Sequence, residues 1–214
     1  MKQNKIFKIG LTGGIGSGKS TVSRILKERG ISIIDCDVIS RDVLKKYPNI
    51  IEDIEEKYGS EFVDENGNLK RREFGSFIFS SEEKRREFES IIIPYINKEI
   101  YNMFDKCQCN GEKICVLDAP TLFEQNMHLV MDLIVVVWVD EKTQFNRVKS
   151  RDKLDDKEVI NRINAQISLN KKREMAHFVI DNTKTIDETE MQIDTLIQFI
   201  NDLRGVEKAV EEIN

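Results

Sequence analysis

The chain has 214 residues, of which 40% are hydrophobic and 33% are charged, and its formal net charge at pH 7 is −5. These values predict a globular protein with one domain and argue against a general nucleic-acid binder, which would be basic. No apolar run approaches the ~20 residues of a membrane span, and residues 1–5 show no signal peptide. The four cysteines lack the usual spacing of zinc ligands, so we expect a protein of the reducing cytoplasm.

The first predicted elements are a strand over 6–11, a glycine-rich loop and a helix that starts near Lys19. From Gly13 to Ser20 the loop fits G-x-x-x-x-G-K-[ST], a pattern whose backbone N–H groups hold nucleotide phosphates. We expect Lys19 to contact the β- and γ-phosphates and the Ser20 hydroxyl to coordinate Mg²⁺. The predicted nucleotide-binding residues of this segment are Gly14, Ile15, Gly16, Ser17, Gly18, Lys19, Ser20 and Thr21.

A short strand over 31–35 leads into two aspartates, Asp35 and Asp37. Asp37 could orient or deprotonate the group that accepts a phosphoryl group. It could equally cap the helix that follows, and the residues alone favour neither role.

Helical periodicity then covers 38–58 with a break at Pro48, 71–79 and 82–104, with a turn over 64–68. Pro94 should kink the last of these helices or begin a new one. This stretch, about residues 38–107, is the candidate helical insertion on the substrate side.

The remaining elements alternate between strand and helix. The apolar runs predict strands over 113–118, 133–139 and 178–180, and the periodic segments predict helices over 142–151, 156–169 and 186–203, the last ended by Gly205. Five strands alternating with helices predict an α/β fold with a five-stranded parallel sheet and helices on both faces. Ligands of such sheets gather at the carboxyl ends of the strands.

Two groups near those ends could act in phosphoryl transfer. Asp118 ends a strand and could hold Mg²⁺ directly or through water, although Asp-Ala-Pro also fits a simple turn. Arg147 and Arg151 stand one helical turn apart within about residues 142–177. A lid over that region would bring arginines to the transferring phosphoryl group, whereas most charge runs are solvated helix faces.

Five segments together resemble the dephospho-CoA kinase family: LTGGIGSGKST, IIDCDVISR, LDAPTLFE, QFNRVKSRDKL and AHFVIDNTKT. The resemblance extends from about Ile6 to Leu203. It implies a three-layer fold of the P-loop NTPase type and a Mg²⁺-dependent reaction. In that reaction the γ-phosphoryl group of ATP passes to the ribose 3′-hydroxyl of dephospho-CoA, giving coenzyme A and ADP.

The resemblance also assigns roles to individual residues. It implies that Asp37 takes the proton of the acceptor hydroxyl, which favours the base over the cap, and that Arg41 lies near the acceptor. It further implies that Arg147 contacts phosphates from the lid and that Asn182 lies in the loop beside the adenine. The family usually has His where Ile93 stands, so no role for that histidine carries over.

Two other functions remain to be compared with this one. The first is another small-molecule kinase, acting on a nucleoside or a nucleotide. The second is a GTP-dependent switch, which would need Asn-Lys-x-Asp to bind guanine, whereas the chain has Asn-Lys-Lys-Arg at 170–173. The expected partners are ATP and dephospho-CoA, with no nucleic acid and no membrane, in a monomer or a small homo-oligomer.

Overall fold

The computed structural model describes residues 5–78 and 80–213, the last eight by their backbone alone. Two compact units divide the chain. Residues 35–110 form one, which we call the helical unit, and the described residues on either side of it form the other, the sheet unit.

The sheet unit contains a five-stranded sheet, as the apolar runs predict. In chain order its strands are β1 (Phe7–Gly13), β2 (Ser32–Asp35), β3 (Ile114–Asp118), β4 (Leu133–Trp138) and β5 (Phe178–Asp181). Their spatial order is β2-β3-β1-β4-β5. The central strand β1 pairs in parallel with β3 and β4, so that Leu11 lies opposite Asp118 and Gly13 opposite Val137. The carboxyl ends of three strands therefore meet where the glycine-rich loop begins.

The described helices are α1 (Lys19–Glu28), α2 (Cys36–Lys46), α3 (Asn49–Tyr58), α4 (Arg71–Ile78), α5 (Glu82–Cys109), α6 (Glu141–Asp152), α7 (Asp156–Asn164), α8 (Leu169–Glu174) and α9 (Ile186–Ile213). Apolar residues of α1 and α9 cover one face of the sheet and form a buried cluster with β1, β4 and β5. Alternate residues of β4, such as Ile134 and Val136, are buried as well, so this strand is covered on both faces, as its continuous apolar run predicts.

Two helix predictions need correction. The segment over 156–169 is not one helix, because α7 ends at Asn164 and the Ser168 side chain caps a separate helix, accepting from Lys171 N. Gly205 does not end the last helix, which continues to Ile213; a single glycine costs only ~1 kcal/mol in a helix interior. Pro94 lies inside α5, which excludes the second of its two expected outcomes, the start of a new helix. The predicted helix end at Phe79 lies outside the described residues.

The helical unit has an aromatic core. Tyr58, Phe62 and Phe77 form edge or tilted contacts with centroids 4.8–5.9 Å apart, and Phe74 contacts Phe88 at 5.1 Å. Asp64 closes the turn predicted over 64–68 by accepting hydrogen bonds from the amides of Asn66 and Asn68. In the part of the chain that the structure describes, no helix is both long and apolar enough to cross a membrane.

Candidate functional site

The glycine-rich loop joins β1 to α1, as the motif predicts, and its glycines occupy positions that other residues would not tolerate. Gly16 and Gly18 have φ angles of 78° and 85°, in the left-handed region that favours glycine. A Cβ atom on Gly18 would lie 2.0 Å from Asn182 Nδ2. No side chain caps α1 and no acidic residue lies in its first turn, so its N-terminal N–H groups are left for an anion.

Asn182, which follows β5, and Arg147 in α6 lie beside this loop. The buried Asn182 side chain donates from Nδ2 to Ser17 O at 2.8 Å, and its Oδ1 accepts from Thr189 Oγ1 at 2.8 Å. Arg147 Nη2 donates to Asn182 O at 2.9 Å. A Cβ on Gly18 would lie 3.7 Å from Arg147 Nη1. The structure thus brings Asn182, Arg147 and the loop together, and leaves the Asn182 amide engaged with the protein itself.

Lys19 and Asp118 form an ion pair at the carboxyl ends of β1 and β3. Their side chains are only 16% and 8% exposed, so the pair is largely shielded from water. Ser20, one residue further into α1, is exposed, and no described residue bonds its hydroxyl. The cation and the hydroxyl that the sequence assigns to phosphate and Mg²⁺ therefore begin α1, and the carboxylate ends the neighbouring strand β3.

Arg151, the other arginine of the predicted pair, and Asp140, which lies two residues after β4, are engaged elsewhere. Arg151 makes an ion pair with Asp152, Nε to Oδ1 at 2.7 Å, and not with the loop. Asp140 caps α6, and the hydrogen bond from the Thr143 hydroxyl, followed by that from the Thr143 amide, lowers the pKa of its carboxyl.

Two glutamines that the sequence reasoning missed also bind the loop. Gln166, in the segment between α7 and α8, accepts a hydrogen bond from Ile15 N at 2.8 Å. Gln144 in α6 donates from Nε2 to Ile15 O at 2.9 Å. Gln144 precedes Arg147 by three residues, so both lie on one helix face; that spacing is the one signal that could have found it. Nothing in the local sequence marks Gln166.

In the helical unit the structure decides which of the two aspartates caps α2. Asp35 is the N-cap of α2, accepting from Asp37 N at 2.8 Å and Val38 N at 3.1 Å. Asp37 lies in the first turn of α2 and not on a strand, so the alternative in which Asp37 caps the helix is excluded, and its role as a base stays a prediction. Its side chain is exposed, and no other described residue bonds its carboxylate.

Arg41 follows one turn later in α2. Its Nε donates to Asp37 O at 2.9 Å, and Arg71 Nη2 donates to Arg41 O at 2.8 Å. A groove of about 580 Å³ opens at this point. The residues that line it are Val38, Arg41, Asp42, Leu44, Lys45, Ile51, Asn68, Leu69 and Arg71. Three cationic side chains and one carboxylate line this groove, and the excess of positive charge favours an anionic ligand.

Comparison with known proteins gives consistent matches. A family model described as dephospho-CoA kinase matches residues 7–188. The dephospho-CoA kinase of Clostridium tetani is 56% identical over 200 residues, which cover 93% of this chain and 88% of that protein. That of Arabidopsis thaliana is 40% identical over 200 residues, covering 93% and 86%.

Two solved structures have the same fold. The protein TT1252 from Thermus thermophilus has a TM-score of 0.77 at 26% identity, covering 90% of this chain and 97% of that one. The dephospho-CoA kinase from Campylobacter jejuni has a TM-score of 0.71 at 22% identity, covering 92% and 98%.

Proposed function

The chain belongs to the dephospho-CoA kinase family, and we propose that its sheet unit binds ATP while its helical unit supplies the residues that meet the acceptor. The reaction transfers the γ-phosphoryl group of ATP to the 3′-hydroxyl of the dephospho-CoA ribose, giving coenzyme A and ADP. The geometric observation that best supports this division is the glycine-rich loop, whose backbone is held in place by side chains from three other segments.

ATP binding is assigned to the loop and to the first turn of α1. The backbone N–H groups of the loop and the α1 N-terminus would donate to the phosphate oxygens. Lys19 would contact the β- and γ-phosphates, exchanging its ion pair with Asp118 for these anions. Arg147, whose guanidinium lies beside Gly18, would stabilise charge on the transferring group. Asn182 would lie near the adenine while its amide supports Ser17.

The oxygen atoms present also fit Mg²⁺. Ser20 and Asp118 offer a hydroxyl and a carboxylate, and Mg²⁺ prefers oxygen ligands while keeping several waters. No cluster of three or more His, Cys, Asp or Glu side chains that could hold a metal occurs in the described residues, so nucleotide phosphates and water would complete the coordination. When bound, the ion neutralises charge on the β- and γ-phosphate oxygens.

The acceptor is assigned to α2 and its groove. Asp37, exposed and without a side-chain partner among the described residues, would take the proton of the 3′-hydroxyl as its oxygen attacks the γ-phosphorus. The bond from that phosphorus to the bridging oxygen then breaks, and ADP leaves. Dephospho-CoA carries a diphosphate, and the cationic groove that contains Arg41 fits that group. Residues of about 142–177, which include Gln144 and Gln166, would act as a lid that excludes water.

The proposal includes a cytoplasmic location, a monomer or small homo-oligomer, and no nucleic-acid or membrane partner. The net charge of −5 supports the absence of a nucleic-acid partner. Both substrates are anionic small molecules, and the cationic residues of the loop and groove suit them.

A panel of acceptors tests the function. With ATP and Mg²⁺, the release of ADP is measured in the presence of dephospho-CoA, uridine or a nucleoside monophosphate. Of these three acceptors, we expect only dephospho-CoA to give rapid ADP release. Faster turnover with a nucleoside or nucleotide would contradict the assignment and favour the other small-molecule kinase.

A further inference from the structure

Lys172 in α8 is fully buried, and it is the one lysine or arginine among the buried side chains of the described chain. An ammonium group in the protein interior is costly unless hydrogen bonds and an opposite charge compensate it. Its neighbour Lys171 is exposed, as lysines usually are. A buried charge at this position therefore calls for a specific explanation.

The three N–H groups of Lys172 meet three acceptors, which come from the end of β1 and from the segment after β3. Nζ lies 2.8 Å from Pro120 O, 2.9 Å from Glu124 Oε1 and 3.3 Å from Gly13 O. A lysine has three donors, so its bonding capacity is filled. Gly13 is the first residue of the loop motif, and Pro120 follows Asp118 by two residues.

These contacts link the two backbone segments that carry Lys19 and Asp118. Thr12 Oγ1 also donates to Pro120 O, at 3.2 Å, which strengthens the same link between β1 and the segment after β3. Glu124 Oε1 accepts from Ile167 N at 3.3 Å, next to Gln166, whose side chain binds the loop. The ammonium thus stands at the junction of the loop, the β3 end and the segment before α8.

Electrostatics agree with this placement. Burial lowers the pKa of Lys172, while the hydrogen bond and charge of Glu124 raise it. The charge of Lys19 lowers it further. A second positive charge beside the loop also favours the binding of anions to the loop.

We propose that Lys172 is a positioning residue for phosphoryl transfer, which fixes the backbone at Gly13 and Pro120 and thereby sets where Lys19 and Asp118 stand. This inference rests on the proposed roles of Lys19 and Asp118. Lys172 touches no substrate in this account and acts through those residues. A misplacement of about 1 Å at such groups can reduce a reaction rate about 100-fold.

The test compares Lys172→Met with the control Lys171→Met. Methionine is unbranched and apolar and only one heavy atom shorter than lysine, but it donates no hydrogen bond. We expect Lys172→Met to lower kcat/KM for ATP by about 10- to 100-fold while KM for dephospho-CoA changes less than about twofold. ATP binding, measured by calorimetry without acceptor, should weaken as well, so the result does not depend on the identity of the acceptor. Lys171→Met should behave as the wild type.

A double variant separates positioning from folding, because Lys172→Met alone leaves the Glu124 carboxylate without its cation. In Lys172→Met/Glu124→Gln both charges are removed. We expect this protein to recover the wild-type melting temperature while kcat/KM for ATP stays reduced. Recovery of both quantities, unchanged kinetics in the single variant, or failure of the double variant to fold would each assign Lys172 to folding alone and overturn the proposal.

Discussion

The two units of the chain present their functional residues in different ways. In the sheet unit the phosphate loop is held by buried or half-buried side chains, with Asn182 bonding Ser17 O, and Gln144 and Gln166 bonding Ile15. In the helical unit Asp37 and Arg41 are exposed on the first turns of one helix. The groups that we propose to bind phosphate are therefore built into their fold, whereas those that we propose to meet the acceptor are carried on a surface.

The cores of the two units are also built from different residue types. Aliphatic residues of β1, β4, α1 and α9 fill the sheet unit, and its loop begins where three strands end. The helical unit relies on an aromatic cluster and on a buried carboxylate, Glu99. We therefore expect substitutions at the loop to change ATP binding, and substitutions on the exposed face of α2 to change catalysis or acceptor binding with little effect on stability.

The largest effect is expected for Asp37→Asn. An amide cannot take the proton of the acceptor hydroxyl, and general bases contribute about 10²- to 10⁴-fold to rates. Turnover should fall by that range in a coupled assay of ADP release, while ATP binding stays nearly unchanged. Asp53→Asn, an exposed aspartate of α3, is the control. A turnover of Asp37→Asn equal to that of the wild type would contradict the role of Asp37 as general base.

Lys19→Ala should come next. Loss of one preorganised charge at the reacting phosphate costs about 10²- to 10³-fold in kcat. The same assay measures it, and Lys27→Ala, at the other end of α1 and exposed, should leave kcat unchanged. A Lys19→Ala variant with wild-type kcat and ATP affinity would refute the assignment of Lys19.

The smallest effect is expected for Glu99→Gln, which tests the stability of the helical unit. Glu99 accepts from Lys46 and Tyr47 at 2.6 Å each and from Asn102 at 3.1 Å. Its loss should lower the free energy of unfolding by about 1 kcal/mol at pH 7, measured by urea denaturation against the exposed-site control Glu56→Gln.

The pH dependence of that effect follows from the pKa of Glu99. The hydrogen bonds from Lys46, then from Tyr47, lower this pKa in the folded protein. A lowered carboxyl pKa stabilises the fold above the unfolded-state value of about 4.3, and the stabilisation is lost as the pH falls through the lower folded-state pKa. The difference between wild type and Glu99→Gln should therefore shrink in that acidic range; a constant difference would show that the carboxylate charge is not responsible.

Local chemistry explains what the sequence could predict. The glycine loop and the strand before it depend on residues within a short segment, and the apolar runs of β3 and β4 mark buried strands directly. The choice between cap and base for Asp37 was left open because a helix cap and a strand end share the same residue types; the structure gives the cap to Asp35. The helix break at 165–168 was missed because apolar spacing does not reveal long-range contacts of this segment, such as the hydrogen bond that Gln166 accepts from Ile15 N, 151 residues away.

The support of the loop could not be predicted for the same reason. Lys172 and Asn182 reach the loop across separations of 159 and 165 residues. A lysine in a polar helix such as α8 gives no sign of burial, because its burial is decided by which segments the sheet order brings together. Motifs thus locate the phosphate site, and long-range packing determines which side chains hold it.

The most direct test of the division between the two units compares Asn182→Ala in the sheet unit with Arg41→Gln in the helical unit. Steady-state kinetics would give KM for ATP and KM for dephospho-CoA in each variant. We expect Asn182→Ala to raise KM for ATP about 10-fold, since it removes the side-chain hydrogen bonds to Ser17 O and from Thr189, worth about 1 kcal/mol each, and with them the support of the loop. KM for dephospho-CoA should stay unchanged. Arg41→Gln should raise KM for dephospho-CoA and leave KM for ATP unchanged. A rise of both constants in both variants, or a rise of the opposite constant in either, would contradict the account.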